Sequence, residues 1–148
     1  MEKANIHAAL VSELIRRIQQ LQDLLDDAYN SVASDTKSSA GDKHETSRAM
    51  AQIEQEKIGN QLAEMQKMLA IARRISTVNR HAEIQVGSLV QTSIGAFYLA
   101  VGIGSLHVEN EHVFCMTSSA PLGKMLLGKS KNDQFKWQEK IIEILSVE

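Results

Sequence analysis

The sequence predicts an α+β protein: two long helices folded back on each other as an antiparallel coiled coil, then a small, mostly antiparallel β unit with one short helix. Three observations carry this. Apolar residues recur in heptad steps through the first half, the period that winds helices around one another. A Ser- and Gly-bearing break interrupts that repeat near its middle. Past Asn79 the pattern changes to short apolar runs punctuated by glycine, and five of the six aromatics (Phe97, Tyr98, Phe114, Phe135 and Trp137) lie beyond residue 90, as suits strands closing on a core.

The first helix is predicted from about residue 3 to about residue 33. Its seam is Val11, Leu14, Ile18, Leu21, Leu25, Ala28 and Val32, with Glu13, Arg16, Arg17, Asp23, Asp26 and Asp27 among the solvated positions between. The stretch SVASDTKSSAGDKHE then favours turns and caps over helix interior. A second helix is predicted from about Asp42 to about Thr77. Its seam is Ala51, Ile58, Leu62, Met65, Leu69 and Ala72, broadened by Met50, Ile53, Met68 and Ile75. Gln55 interrupts it and Gly59 lies within it. A parallel dimer, with residues 34–42 interrupting one long rod, is the rival arrangement; the density of Ser and Gly there favours the hairpin.

In the second half, Val86–Thr92, Ala96–Gly104 and His112–Thr117 read as strands. The segment SSAPLGKMLLG reads as a short helix with Ser119 as its cap, Pro121 in the first turn and Gly128 at the stop. DQFKWQ and KIIEILSVE alternate apolar and polar and close the chain as two more strands. The domains are therefore expected at 1–79, with a tip near 35–46, and at 80–148.

Composition excludes several classes. The formal charge is −2, with 11 basic and 11 acidic side chains in residues 1–80 and 5 and 7 in residues 81–148. Neither half has the concentrated Lys/Arg surface that charge-driven nucleic-acid binding needs, and no sequence-specific DNA binding is expected. The single Cys115 excludes an intramolecular disulfide, and its mid-strand place points to burial. The charge-punctuated start, MEKANIHAALVSELIRR, reads as neither signal peptide nor membrane span, so a cytoplasmic location is expected.

The chemistry is sparse. The five histidines (7, 44, 81, 107 and 112) show neither HxxxH nor HExxH spacing. Gly102-Ile103-Gly104 lacks the third glycine of a nucleotide loop, and Ser118 and Ser119 lack a nucleophile-elbow setting. What stands out is Gly41-Asp42-Lys43-His44-Glu45 at the expected tip. Asp42 and Glu45, three apart, share a helix face and can hold a divalent ion that keeps several waters, as Mg²⁺ prefers. The same pair also reads as an Asp N-cap with Glu at N3, close to a capping box, and the two readings are compatible. Lys37, Lys43 and Arg48 can contact an RNA phosphate or form an ordinary solvated surface.

Two stretches together resemble the Gre transcript cleavage factors of bacterial RNA polymerase. The tip GDKHET is similar to the family's G-D-L-x-E-N-A-E-Y: Gly41, Asp42 and Glu45 match, Lys43 replaces Leu, Thr46 replaces Asn, and the following A-E-Y is absent. APLGKMLLGKSKNDQFKW resembles the C-terminal S-P-[IL]-[AG]-[RK]-A-L-[IL]-G-K-x-x-x-D signature. Pro121, Leu122, Gly123, Lys124, Leu126, Leu127, Gly128, Lys129 and Asp133 match, and Ala120 replaces the Ser. Gly87, Ser88 and Val90 match the opening G-S-x-V strand. The resemblance implies a coiled coil followed by an FKBP-like domain, without implying isomerase activity. It implies RNA polymerase as partner, with Pro121, Leu122, Gly123 and Lys124 in the docking region at the rim of the secondary channel. Asp42 and Glu45 would assist the polymerase active site through an Mg²⁺ shared with it, stimulating cleavage of backtracked RNA at its 3′ end. The protein would then be no enzyme itself and hold no cofactor of its own. The departures at positions 43 and 46 suit an alternative, a channel-binding regulator without cleavage; a coiled-coil adaptor unrelated to polymerase is the third reading.

Overall fold

The computed structural model describes the backbone of residues 1–35 and 41–148 and the side chains of residues 1–31 and 45–148. Two long helices come first, α1 (Lys3–Asp35) and α2 (Gly41–Arg74). A six-stranded sheet and one short helix follow, and the protein is α+β. The chain falls into two compact units, one formed by Met1–Ser12 with Ala70–Glu148 and the other by Glu13–Leu69.

In the Glu13–Leu69 unit the heptad seam is visible in burial. Leu14, Ile18, Leu21, Leu25 and Ala28 are buried or half-buried, while Arg16, Gln19, Gln20, Asp23, Asp26 and Asp27 are exposed. On α2, Ala51, Gln55, Ile58, Leu62, Met65 and Leu69 are covered, again in steps of four and three, with Gly59 and Met68 half-buried beside them. Gln55 therefore occupies a seam position. Arg17, Leu21 and Leu24 of α1 line one cleft with Gln61 and Met65 of α2, so the helices lie side by side. The five residues 36–40 span at most roughly 20 Å, whereas the 33 residues of α1 run about 50 Å. Neighbouring helices with so short a link run antiparallel, as expected. Glu13 accepts hydrogen bonds from Arg16 and Arg17, one turn away on the same helix.

Two expectations for α2 fail. Met50 and Ile53 do not broaden the seam: they are 67% and 66% exposed. One partner helix covers a stripe about two residues wide per heptad, so flanking apolar positions stay in water. The helix also ends at Arg74 rather than near Thr77.

In the other unit the strands are β1 (Leu89–Thr92), β2 (Gly95–Leu99), β3 (Gly104–Val108), β4 (Glu111–Met116), β5 (Gln134–Trp137) and β6 (Lys140–Val147). Their order in the sheet is β3-β4-β2-β1-β6-β5. Every pairing is antiparallel except β2 with β4, which run parallel with Phe97 beside Phe114 and Leu99 beside Met116. The expected strand Ala96–Gly104 is in fact two. Ala100–Ile103 breaks it, with Ile103 N–H bonding back to the Val101 carbonyl, and Gly104 takes a left-handed φ of 83° to start β3. β3 then pairs with β4, not with β2.

One sheet face carries Val90, Phe97, Leu99, Met116, Ile142 and Ile144, which form the main core with Ile84, Phe135 and Leu126. Leu126 comes from α3 (Pro121–Leu126), the expected short helix. Its cap differs from expectation: the N-cap is Ala120, with no side-chain bond, while Ser119 Oγ lies 3.0 Å from Thr117 Oγ1. Pro121 in the first turn brings one unpaired N–H fewer to the helix start, and its fixed φ suits that position. On the other face Tyr98 lies 2.8 Å from His7 Nδ1 of α1, and Ile6, Leu10 and Ala72 are buried in the same unit. Lys3 is buried as well and donates from Nζ to the Asn79 carbonyl.

Candidate functional site

The C-terminal signature folds into a turn, a short helix and a loop, and its residues divide by what holds them. Gly123 is buried, and a Cβ there would overlap the Thr117 carbonyl oxygen, so the approach of α3 to the end of β4 excludes any side chain. Leu126 is fully buried in the core. Gly128 has φ of 79° and donates to the Ile84 carbonyl. Lys129 donates to the Met125 carbonyl, and its ammonium stands 5.0 Å from the Phe135 ring centroid. Asp133 accepts from Ser130 N–H at 2.7 Å. These five matches hold the fold.

The remaining matches face outward. Pro121, Lys124 and Leu127 are exposed and Leu122 is half-buried. Pro121 and Leu122 form one wall of an apolar cleft of about 330 Å³, completed by Phe97, Phe114, Met116 and Trp137. Phe114 is 47% exposed although its ring meets Phe97 edge-on at 6.4 Å. A large aromatic left half in water beside a shaped apolar hollow is the arrangement into which a partner's apolar side chain inserts. Of the expected docking residues, Pro121 and Leu122 meet in this cleft; Gly123 supports it from behind, and Lys124 stands on the outer side of α3. Sequence reading passed over Phe114, Phe97 and Trp137. Their spacing offered no signal, because the cleft is assembled across β2, β4 and β5.

A second hollow, of about 660 Å³, is lined by Arg74, Ile75, Arg80, His81, Gln85 and Val86. Arg73 and Arg74 close α2, where cations complement the carbonyl end of the helix dipole. His81 Nδ1 shares a hydrogen bond with the buried Ser88 hydroxyl at 2.7 Å, and Ser88 Oγ also accepts from Gln85 N–H. Burial, with Lys3 beside it, holds the His81 pKa below its ordinary value.

The tip residues are placed in part. Asp42 and Lys43 belong to the first turn of α2, but their side chains lie outside the described residues, as does Lys37 altogether. The capping reading of Asp42 lies outside them for the same reason. Glu45 and Arg48 are exposed on α2. Among the described residues no group of three or more His, Cys, Asp or Glu could hold a metal ion. As donors, Glu45 and Asp42 are of the hard oxygen type that Mg²⁺ takes, but too few to hold it without oxygens from elsewhere. Among the described residues no helix is long and apolar enough to cross a membrane.

No family model and no curated protein matches the chain. Among solved structures it is similar to that of the transcription factor Gfh1, with 15% sequence identity over 94% of this chain and 93% of that one and a TM-score of 0.39. A likeness that distant carries no argument about function.

Proposed function

We propose that this chain is a Gre-like factor that binds bacterial RNA polymerase through the Pro121–Leu122 cleft and works at the polymerase active centre through Asp42 and Glu45. The observation that carries the reading is the C-terminal signature itself. Five of its residues are used in holding α3, and Pro121 and Leu122 are left lining an apolar hollow. A motif serving stability alone would have no need to present them.

In this reading the helices supply reach and the tip supplies charge. Asp42 and Glu45, one helical turn apart, would present two carboxylates to an Mg²⁺ otherwise held by polymerase oxygens. A second metal ion stabilises the attacking and leaving oxygens in phosphoryl transfer. The chain's own part is to place the carboxylates and, through Lys37, Lys43 and Arg48, to offset phosphate charge near the RNA 3′ end. It needs no pocket of its own for that work, and the bond is broken in the polymerase. The departures Lys43 and Thr46 favour a second reading, in which the factor occupies the channel without stimulating cleavage.

Two assays separate the readings. In a pull-down with RNA polymerase, Phe114→Ser and Leu122→Ser are expected to weaken binding by about tenfold or more, the loss of one interface anchor. Asp42→Ala with Glu45→Ala should leave binding intact and abolish shortening of RNA in stalled, backtracked complexes with Mg²⁺. Binding without any shortening by the natural chain selects the second reading. Absence of polymerase binding sinks both.

A further inference from the structure

We propose that His107 and His112 form a two-histidine site for a borderline transition-metal ion such as Zn²⁺ or Cu²⁺, independent of the polymerase reading. β3 and β4 are joined by two residues, Glu109 and Asn110, both with left-handed φ (50° and 68°), the geometry of a tight hairpin turn. Val108 and Glu111 pair directly across it, and His107 and His112 form the next pair. Antiparallel ladders alternate, so after a closing hydrogen-bonded pair the next is non-hydrogen-bonded, with side chains closest together. The two imidazoles stand with centroids 3.7 Å apart and planes inclined at 63°.

Both histidines are exposed. They share the sheet face of Phe114, while Leu106 and Val113, the alternating positions, are buried on the other. Among the described residues no side chain hydrogen-bonds either ring. Each imidazole can therefore turn one nitrogen toward a common ion. A tetrahedral ion with Zn–N of about 2.0–2.1 Å needs its two nitrogens about 3.3 Å apart, within reach of rings already in contact. The sequence spacing, five residues, matches no helical metal motif; a rigid two-residue turn brings the two rings together. With two protein ligands the ion keeps positions for water, or for a donor from whatever covers this face beside Phe114.

The alternative is a cross-strand ring contact with no ligand. Isothermal titration of the full chain with Zn²⁺ alone, with histidine ring ¹H–¹³C spectra recorded along the titration, tells them apart. The expected result is that the His107 and His112 ring signals move together at one ion per chain. His107→Gln and His112→Gln should each weaken this event by at least about tenfold, because loss of a direct ligand exceeds loss of a supporting one. The double variant should weaken it little further, since either ligand alone is a poor site. With Cu²⁺, the electron paramagnetic resonance spectrum should show two nitrogen ligands, reduced to one in each single variant. The proposal is overturned if Zn²⁺ moves only one of the two rings, if neither ring moves, or if the single variants bind like the natural chain. Both positions are exposed, and unchanged circular dichroism will confirm that the variants fold.

Discussion

Among the described residues, His7 and His81 couple the fold to pH near neutrality. Each shares a short hydrogen bond, His7 with Tyr98 and His81 with Ser88, and each is held below the ordinary histidine pKa of 6.5, His7 by burial and His81 by burial and Lys3. Burial also pushes the Tyr98 hydroxyl upward, so it stays protonated throughout. The folded chain therefore binds fewer protons than the unfolded one once the pH drops below about 6.5. Stability from these sites is full above that value and is lost as pH falls through it toward the folded pKa values. The thermal midpoint should fall between about pH 7.5 and pH 5, and His7→Gln with His81→Gln should flatten that slope. Glu13 behaves in the opposite range: hydrogen bonding to Arg16, with Arg17 adding to it, holds its carboxyl down to about 2, so it stays ionised across the same interval. The His7–Tyr98 pairing was not legible in the sequence, because the two residues are 91 positions apart.

At the scale of elements, the α2 seam reads cleanly apart from two residues that interrupt it differently. Gln55 is a seam residue and is half-covered there; Gly59 has no neighbouring atom within 4 Å of where a Cβ would lie, and its φ is not left-handed. Nothing among the described residues requires glycine at this position. Gly59→Ala should stabilise α2 by about 0.5–1 kcal/mol, by removing backbone freedom from the unfolded chain. Chemical denaturation monitored at the helical circular dichroism band will check it, and a destabilised variant would show that another contact depends on the glycine. Helix boundaries and seams were legible because a heptad pattern is local and repeated. The strands of the β unit were legible as segments, but Ala96–Gly104 was read as one where the chain makes two. A run of apolar residues with glycines does not say on which glycine it turns.

For the whole molecule, the order β3-β4-β2-β1-β6-β5 brings distant segments together and buries what the ladder encloses. Cys115 lies mid-ladder in β4, between β3 and β2, fully buried and in no disulfide. A thiol so placed reacts only when the sheet opens, so its rate of modification by a disulfide reagent should follow unfolding of the β unit. Denaturant should accelerate labelling in step with loss of Trp137 fluorescence. Fast labelling under native conditions would mean that β4 opens separately from the rest. The same closure makes the Pro121–Leu122 cleft: Phe97, Phe114 and Trp137 reach it from three strands, and α3 supplies the wall.

The sequence by itself determined the fold class, the two helices with their seams, the short helix at Pro121 and the outline of most strands, because each rests on a period or a stop signal within one segment. The resemblance it carries also implied a docking region at Pro121, Leu122, Gly123 and Lys124. Tertiary structure decided which strands pair, that β2 and β4 run parallel, and that Ala96–Gly104 divides. It decided that Met50 and Ile53 remain in water, that Phe114 completes the cleft, and that His107 faces His112. Those outcomes depend on which residues become neighbours across the sheet or along a single partner helix, and burial and contact of that kind are properties of the assembled chain.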